Sequence, residues 1–301
     1  MMDILGLLEL QGRLFLLMGV GMFLRRRLLS EAFQKGLTDL IVDLILPCSI
    51  LTAFGTEPRE DLLRSVLFTL VLSTIIQIGC ALIAAALFRR SPANRRPVLS
   101  YGTICSNAGF LGTPVAESVF GPEGVLLASV FLIPQRAFMW TLGVSYFTKG
   151  GGHGWKKVLT NPCILAVLAG TALWAARMDL PPVLDGAVRS LGSCNTGLSM
   201  LLIGMLMSGF HWRDLADPGI LCFCGVRLVL IPFLTLAGCR IFHAEALASQ
   251  VSLLLTAMPA AGTTAVLAAK YGGDAEFAAG CITASTFLSM ITIPLWCAAA
   301  L

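Results

Sequence analysis

Two hydrophobic segments, each broken in its middle by proline and glycine and one in each half of the chain, most constrain what this sequence can fold into. The first, residues 98–120, contains Ser106-Asn107-Ala108-Gly109-Phe110-Leu111-Gly112-Thr113-Pro114. The second, residues 249–271, contains Met258-Pro259-Ala260-Ala261-Gly262-Thr263-Thr264. A bilayer offers no water to the backbone groups that a break sets free, so a break persists there only where protein or an internal cavity satisfies them. Two breaks at matching places are the sequence mark of a midplane substrate site in a secondary transporter.

The surrounding chain fits a membrane. Apolar residues make up 56% and charged ones 13%, and the mean hydropathy is +0.84, where soluble domains carry about a quarter charged residues. Ten apolar stretches of the length a bilayer requires can be read: 4–24, 37–54, 62–87, 98–120, 124–147, 158–176, 184–209, 218–242, 249–270 and 275–299. The expectation is an all-α integral membrane protein of ten transmembrane helices.

Basic residues fix its orientation. With the N-terminus outside, Arg25, Arg26, Arg27, Lys35, Arg89, Arg90, Arg95, Arg96, Lys149, Lys156, Lys157, Arg213 and Lys270 fall on one side, thirteen in all. The other side holds five: Arg59, Arg64, Arg177, Arg189 and Arg240. The excess marks the cytoplasmic face, which predicts both termini outside, in a multi-pass protein of the cell inner membrane. Five spans per half is odd, so the second half enters the membrane inverted relative to the first. The net charge of +4 is then a topology and lipid-headgroup signal and points to no nucleic acid. The acidic start at Asp3 and the arginine run behind the first span predict that this span is retained and not cleaved as a signal peptide.

Other chemistries find little support. All ten cysteines fall in the expected spans, where they read as small apolar packing residues. His153, His211 and His243 have no ligand spacing between them, so neither metal nor cofactor is expected. No phosphate-binding G-x-x-x-x-G-K-[ST] loop occurs, which argues against ATP-driven pumping, and no catalytic residues are assigned.

The two halves align faintly at an offset of 151 residues, which sets Phe120-Gly121-Pro122-Glu123 on Tyr271-Gly272-Gly273-Asp274. Residues 1–148 therefore form a first five-helix repeat, 149–157 a glycine-dense cytoplasmic linker, and 158–301 a second repeat.

Asn107, Gly112 and Pro114 reproduce an N-x-x-x-x-G-x-P pattern, and the chain here resembles the auxin efflux carrier family in its fourth span. Pro47 is similar to that family's second-span proline, Arg227 with Pro232 to its eighth span, and Pro259 followed by Ala269, Lys270 and Tyr271 to its ninth. The short linker is similar to bacterial members. The resemblance implies two inverted five-helix repeats, usually in a homodimer, with spans 1, 2, 6 and 7 as scaffold. Spans 3–5 and 8–10 form a transport domain in which the broken helices 4 and 9 cross. It also implies small organic acids, such as auxin, malate or malonate, as substrates.

Physics gives a matching reason, since a broken helix presents unpaired N–H groups and a positive dipole end to a carboxylate. Asn107 adds an amide donor, and Gly109 and Gly112 let the backbone approach the ligand. Pro114, Pro259 and Gly262 shape the breaks, and Thr263 and Thr264 either cap the second half-helix or bind the ligand. Arg136, near the middle of span 5, has two readings: it binds the substrate carboxylate or it pairs with Glu117. Arg227 reads as half of a scaffold-stabilising pair. Asp39 and Asp43, four residues apart on span 2, and Gln77 in span 3 are candidates for ion coupling.

The leading expectation is a secondary transporter of small organic anions by alternating access. Two alternatives stand beside it: a sodium-coupled symporter of the bile-acid type, and a ligand-binding membrane sensor.

Overall fold

Nearly every described residue is helical, the form in which a chain in lipid satisfies its own backbone. The computed structural model describes residues 4–28, 30–54, 60–147, 160, 162–176, 178–206, 208, 216–242 and 245–300. The expected linker 149–157 and the three histidines lie outside them.

Among the described residues twelve helices follow one another: α1 (Ile4–Arg27), α2 (Glu31–Ala53), α3 (Glu60–Leu87), α4 (Arg96–Ile104), α5 (Ala108–Gly143), α6 (Pro162–Ala176), α7 (Pro182–Ser193), α8 (Asn195–Leu206), α9 (Pro218–Ile241), α10 (Ala246–Thr256), α11 (Thr263–Tyr271) and α12 (Ala275–Ala300). Five helices among the described residues are long and apolar enough to cross a membrane: Glu31–Ala53, Leu63–Leu87, Ala108–Gly143, Pro218–Ile241 and Ala275–Ala299. Two of the remaining expected spans are divided by their breaks into α4 with the start of α5, and α10 with α11. A third, 184–209, was expected to be continuous and instead turns at Cys194 between α7 and α8.

Among the described residues two glycines carry positive φ, Gly121 (65°) and Gly272 (76°), and they stand 151 residues apart. A side chain is strained in that region, which is why glycine occupies it. Gly121 folds α5 sharply, so that the expected fourth and fifth spans run together around it. Gly272 closes α11, and the next residue, Gly273, donates its N–H to the Ala268 carbonyl at 2.8 Å.

Proline shapes the helices elsewhere. Widened, π-type turns cover Ile41–Ile45, Ala108–Gly112 and Val226–Leu230, each ending two residues before a proline: Pro47, Pro114 or Pro232. Proline lacks an N–H, and its ring clashes with the carbonyl four residues earlier, so the preceding turn opens to release the clash.

Close packing depends on small residues. A Cβ at Gly21 would strike the Leu201 carbonyl, and one at Gly204 the Met18 carbonyl, so α1 and α8 pack backbone to backbone. Gly192 of α7 lies against Ser49, and Gly170 of α6 against the Phe54 ring, which ties α2 to both. Arg95, just before α4, joins the two halves of the chain at one end of the bundle. It pairs with Asp217 (3.0 Å) and Asp274 (3.4 Å) and lies over the Phe277 ring. Those two aspartates also accept the N–H groups of Gly219 and Phe277 at the starts of α9 and α12.

A candidate substrate site where two broken helices cross

The two breaks meet. The Asn107 N–H donates to the Pro259 carbonyl at 2.7 Å, and the Ala261 N–H to the Cys105 carbonyl at 3.0 Å. Ser106 and Ala260 thus face each other in a single antiparallel bridge. Pro259 offers no N–H of its own, so the pair uses its carbonyl and loses nothing.

The following helices hold each break from the side. Ser106 Oγ donates to Gln135 Oε1 (2.9 Å), and Gln135 Nε2 returns a bond to the Ser106 carbonyl (2.7 Å). On the other break the Ala260 N–H donates to Ser285 Oγ at 3.2 Å. One residue of α5 and one of α12 therefore play corresponding parts.

Arg227, 2% exposed, spans both breaks. Its Nε donates to the Met258 carbonyl (3.0 Å), Nη1 to Thr103 (2.9 Å) and Nη2 to Thr256 (3.0 Å). These carbonyls lie where α4 and α10 end, the negative poles of two helix dipoles, and the guanidinium neutralises both. The expected scaffold-stabilising pair is therefore replaced by a clamp on the two broken helices. A guanidinium with five fixed donors suits three carbonyls that a lysine ammonium would serve less well.

The opposite helix poles stay open. No side chain caps the helix that begins after Asn107 or the one that begins after Gly262. Asn107 is 6% exposed and its amide makes no hydrogen bond among the described residues, so the donor that the sequence suggested is unspent.

The other expected site residues divide by surroundings. A Cβ at Gly109 would meet nothing within 4 Å, whereas one at Gly112 would meet Leu255 Cδ2 at 2.6 Å and Met258 Cγ at 3.1 Å. Gly112 thus packs α5 onto α10, and of the two glycines only Gly109 stands beside open space. Pro114 is buried in the next turn. Gly262 is half-buried as the residue before α11, and the Thr263 hydroxyl accepts from Tyr101 Oη at 3.0 Å. Thr264 is fully buried and its hydroxyl has no partner.

Arg136 and Glu117 do not pair. Glu117 accepts from Thr196 Oγ1 across to α8 at 3.1 Å, while Arg136 stands near the Cys163 thiol of α6. One terminal nitrogen of Arg136, Nη1, is buried without a partner among the described residues, a state that costs about 1–3 kcal/mol for a neutral donor and more for a charged one. Asp39 and Asp43 are exposed on α2, and Gln77 is buried on α3 with Oε1 unpartnered among the described residues.

Comparison with known proteins adds the family. The sequence model of a family described as membrane transport protein matches residues 12–154 and 151–297. An uncharacterized transporter of Methanothermobacter thermautotrophicus is 27% identical over 277 residues, 89% of each chain. An uncharacterized transporter of Methanocaldococcus jannaschii is 24% identical over 289 residues, 89% of this chain and 90% of that one. A probable auxin efflux carrier component 5b of Oryza sativa subsp. japonica is 28% identical over 148 residues, 45% of this chain and 38% of its own.

Proposed function

The chain belongs to the membrane transport protein family, that of the auxin efflux carriers, and on that premise we propose that it is a secondary carrier moving a small organic anion by alternating access. One observation carries the reading: the unpaired Asn107 amide stands at a crossing whose carbonyl-bearing helix ends are neutralised by Arg227 and whose N–H-bearing ends are uncapped. With its negative poles answered and its positive poles free, the crossing favours an anion.

The proposed architecture is ten spans in two inverted repeats, 1–148 and 158–301, around a linker at 149–157. The glycines at 121 and 272 and the matched staples of Gln135 and Ser285 support that symmetry. The scaffold comprises spans 1, 2, 6 and 7, consistent with the backbone contact of α1 with α8 and the packing of α2 on α6 and α7. Spans 3–5 and 8–10 make the moving domain, with Arg95 and Arg227 binding its two halves together. The protein is placed in the inner membrane as a homodimer with both termini outside.

In the proposed cycle the anion's carboxylate accepts from the Asn107 amide and the free N–H groups of the uncapped helix ends, with Gly109 leaving room for it. Rocking of the moving domain against the scaffold then exposes the crossing to either side in turn. The test is anion uptake into vesicles by Asn107→Ala. Uptake should fall at least tenfold with folded yield unchanged, because an isolated polar residue contributes only about 0.6–2 kcal/mol to helix association. Unchanged affinity and rate would defeat the reading, and uptake abolished by sodium removal would favour the symporter.

A further inference from the structure

Among the described residues two arginines are buried inside the bundle, and they are satisfied differently. Arg227 engages all three of its nitrogens, Nε, Nη1 and Nη2, on three carbonyls. Arg136 is 8% exposed, yet its Nη1 touches no acceptor. A buried, always-charged guanidinium keeps an open donor only at a cost, and an anion removes that cost.

Its location gives the open donor a meaning. Gln135, the residue before it, is fixed on Ser106 by two hydrogen bonds. Successive side chains on a helix diverge by about 100°. While Gln135 turns to the break, Arg136 turns away from it, toward α6 and Cys163. That thiol rests on the Val42 carbonyl of α2 at 3.7 Å. Neither Glu117 nor Asp43 neutralises Arg136. Glu117 is engaged with Thr196, and Asp43 is exposed on α2, with no ion pair to Arg136 among the described residues. Asn107 and Arg136 are chain neighbours of Ser106 and Gln135 respectively, so the bonded Ser106–Gln135 pair ties together the two backbone stretches that carry them.

From this geometry we infer that Arg136 is a second anion subsite, which takes the other charged group of a substrate carrying two and so determines selection by charge. The inference rests on the carrier reading of the crossing. One carboxylate sits at Asn107 and the helix ends, the other on Arg136, and a monoanion of the same length leaves Arg136 unsatisfied.

Succinate and butyrate test this, since both have four carbons and they differ by one carboxylate. Binding to the purified full-length protein is measured by ligand-induced thermal stabilisation over a concentration series. The wild type is expected to bind succinate at least tenfold more tightly than butyrate. Arg136→Gln should weaken succinate binding tenfold or more and leave butyrate unchanged, and Arg136→Lys should keep part of the preference. Asn107→Ala should weaken both acids together. Unchanged binding in Asn107→Ala would therefore sink the crossing site, whereas an intact succinate preference in Arg136→Gln would sink only the second subsite. If Arg136→Gln yields no folded protein, the wild type decides alone: no preference for succinate, whether both acids bind equally or neither binds, overturns the inference.

Discussion

Arg227 and Thr103 come from opposite halves of the chain, yet Nη1 of the one donates to the carbonyl of the other at 2.9 Å. The same guanidinium holds Thr256 and Met258 of its own half. The crossing is therefore one electrostatic unit, in which a single cation answers two helix ends.

Replacing Arg227 by methionine should strand three buried carbonyls and destabilise the protein by about 3–5 kcal/mol. Lysine should recover only part of this, because it cannot reach three acceptors in one plane. Thermal unfolding in detergent measures both, and a methionine variant as stable as wild type would show that the clamp is dispensable.

Gly112 and Gly109 should respond oppositely to a side chain. Gly112→Val drives methyl groups into Leu255 and Met258 and should cost about 1–3 kcal/mol through overpacking. Gly109→Ala meets open space and should leave the unfolding midpoint within a degree or two while lowering anion uptake. Equal stability losses at the two positions would contradict the packing described for them.

Gly121→Ala and Gly272→Ala place a Cβ on backbone of positive φ, and each should cost about 1–3 kcal/mol. The check is the unfolding midpoint of each single variant and of the pair. Since the sites lie in different halves, their losses should add.

Topology is read by cysteine labelling on a background stripped of the ten native thiols. Position 183, where Val183 is 88% exposed, should react with an impermeant reagent from outside, and position 153 only from the cytoplasm. The reverse pattern would invert the orientation and leave the paired breaks untouched.

The breaks were legible in the sequence because proline and glycine inside an apolar run cannot be ordinary helix, and Asn107 was legible as a polar residue beside one. The turn at Gly121 was legible only as the gap between the expected spans 98–120 and 124–147. The partners of Arg227 were not legible: the guanidinium binds backbone carbonyls, which every residue has, so no side chain marked its destination. Arg136 and Glu117 looked like a pair because both are charges in apolar spans, but the chain folds at Gly121 between them and Glu117 finds Thr196 of α8 instead. The contact of α1 with α8 was hidden too, since Gly21 and Gly204 reveal a seam only once the rotation of both helices is known. The turn at Cys194 carries no proline, and without one the run 184–209 reads as a single helix.

The antiparallel pairing of Asn107 with Pro259 has a consequence for how the protein is made. Its two partners are 152 residues apart (259 − 107), so at the roughly 5–20 residues per second of synthesis the first break waits about 8 to 30 s for the second. Through that interval the Cys105 carbonyl and Asn107 N–H have no native partner, and a half-made chain entering lipid would carry them bare. The nascent first half must borrow hydrogen bonds from water in the insertion machinery or from a chaperone. A ribosome stalled between the two breaks would release a product that the membrane's proteases can recognise by its unfinished backbone.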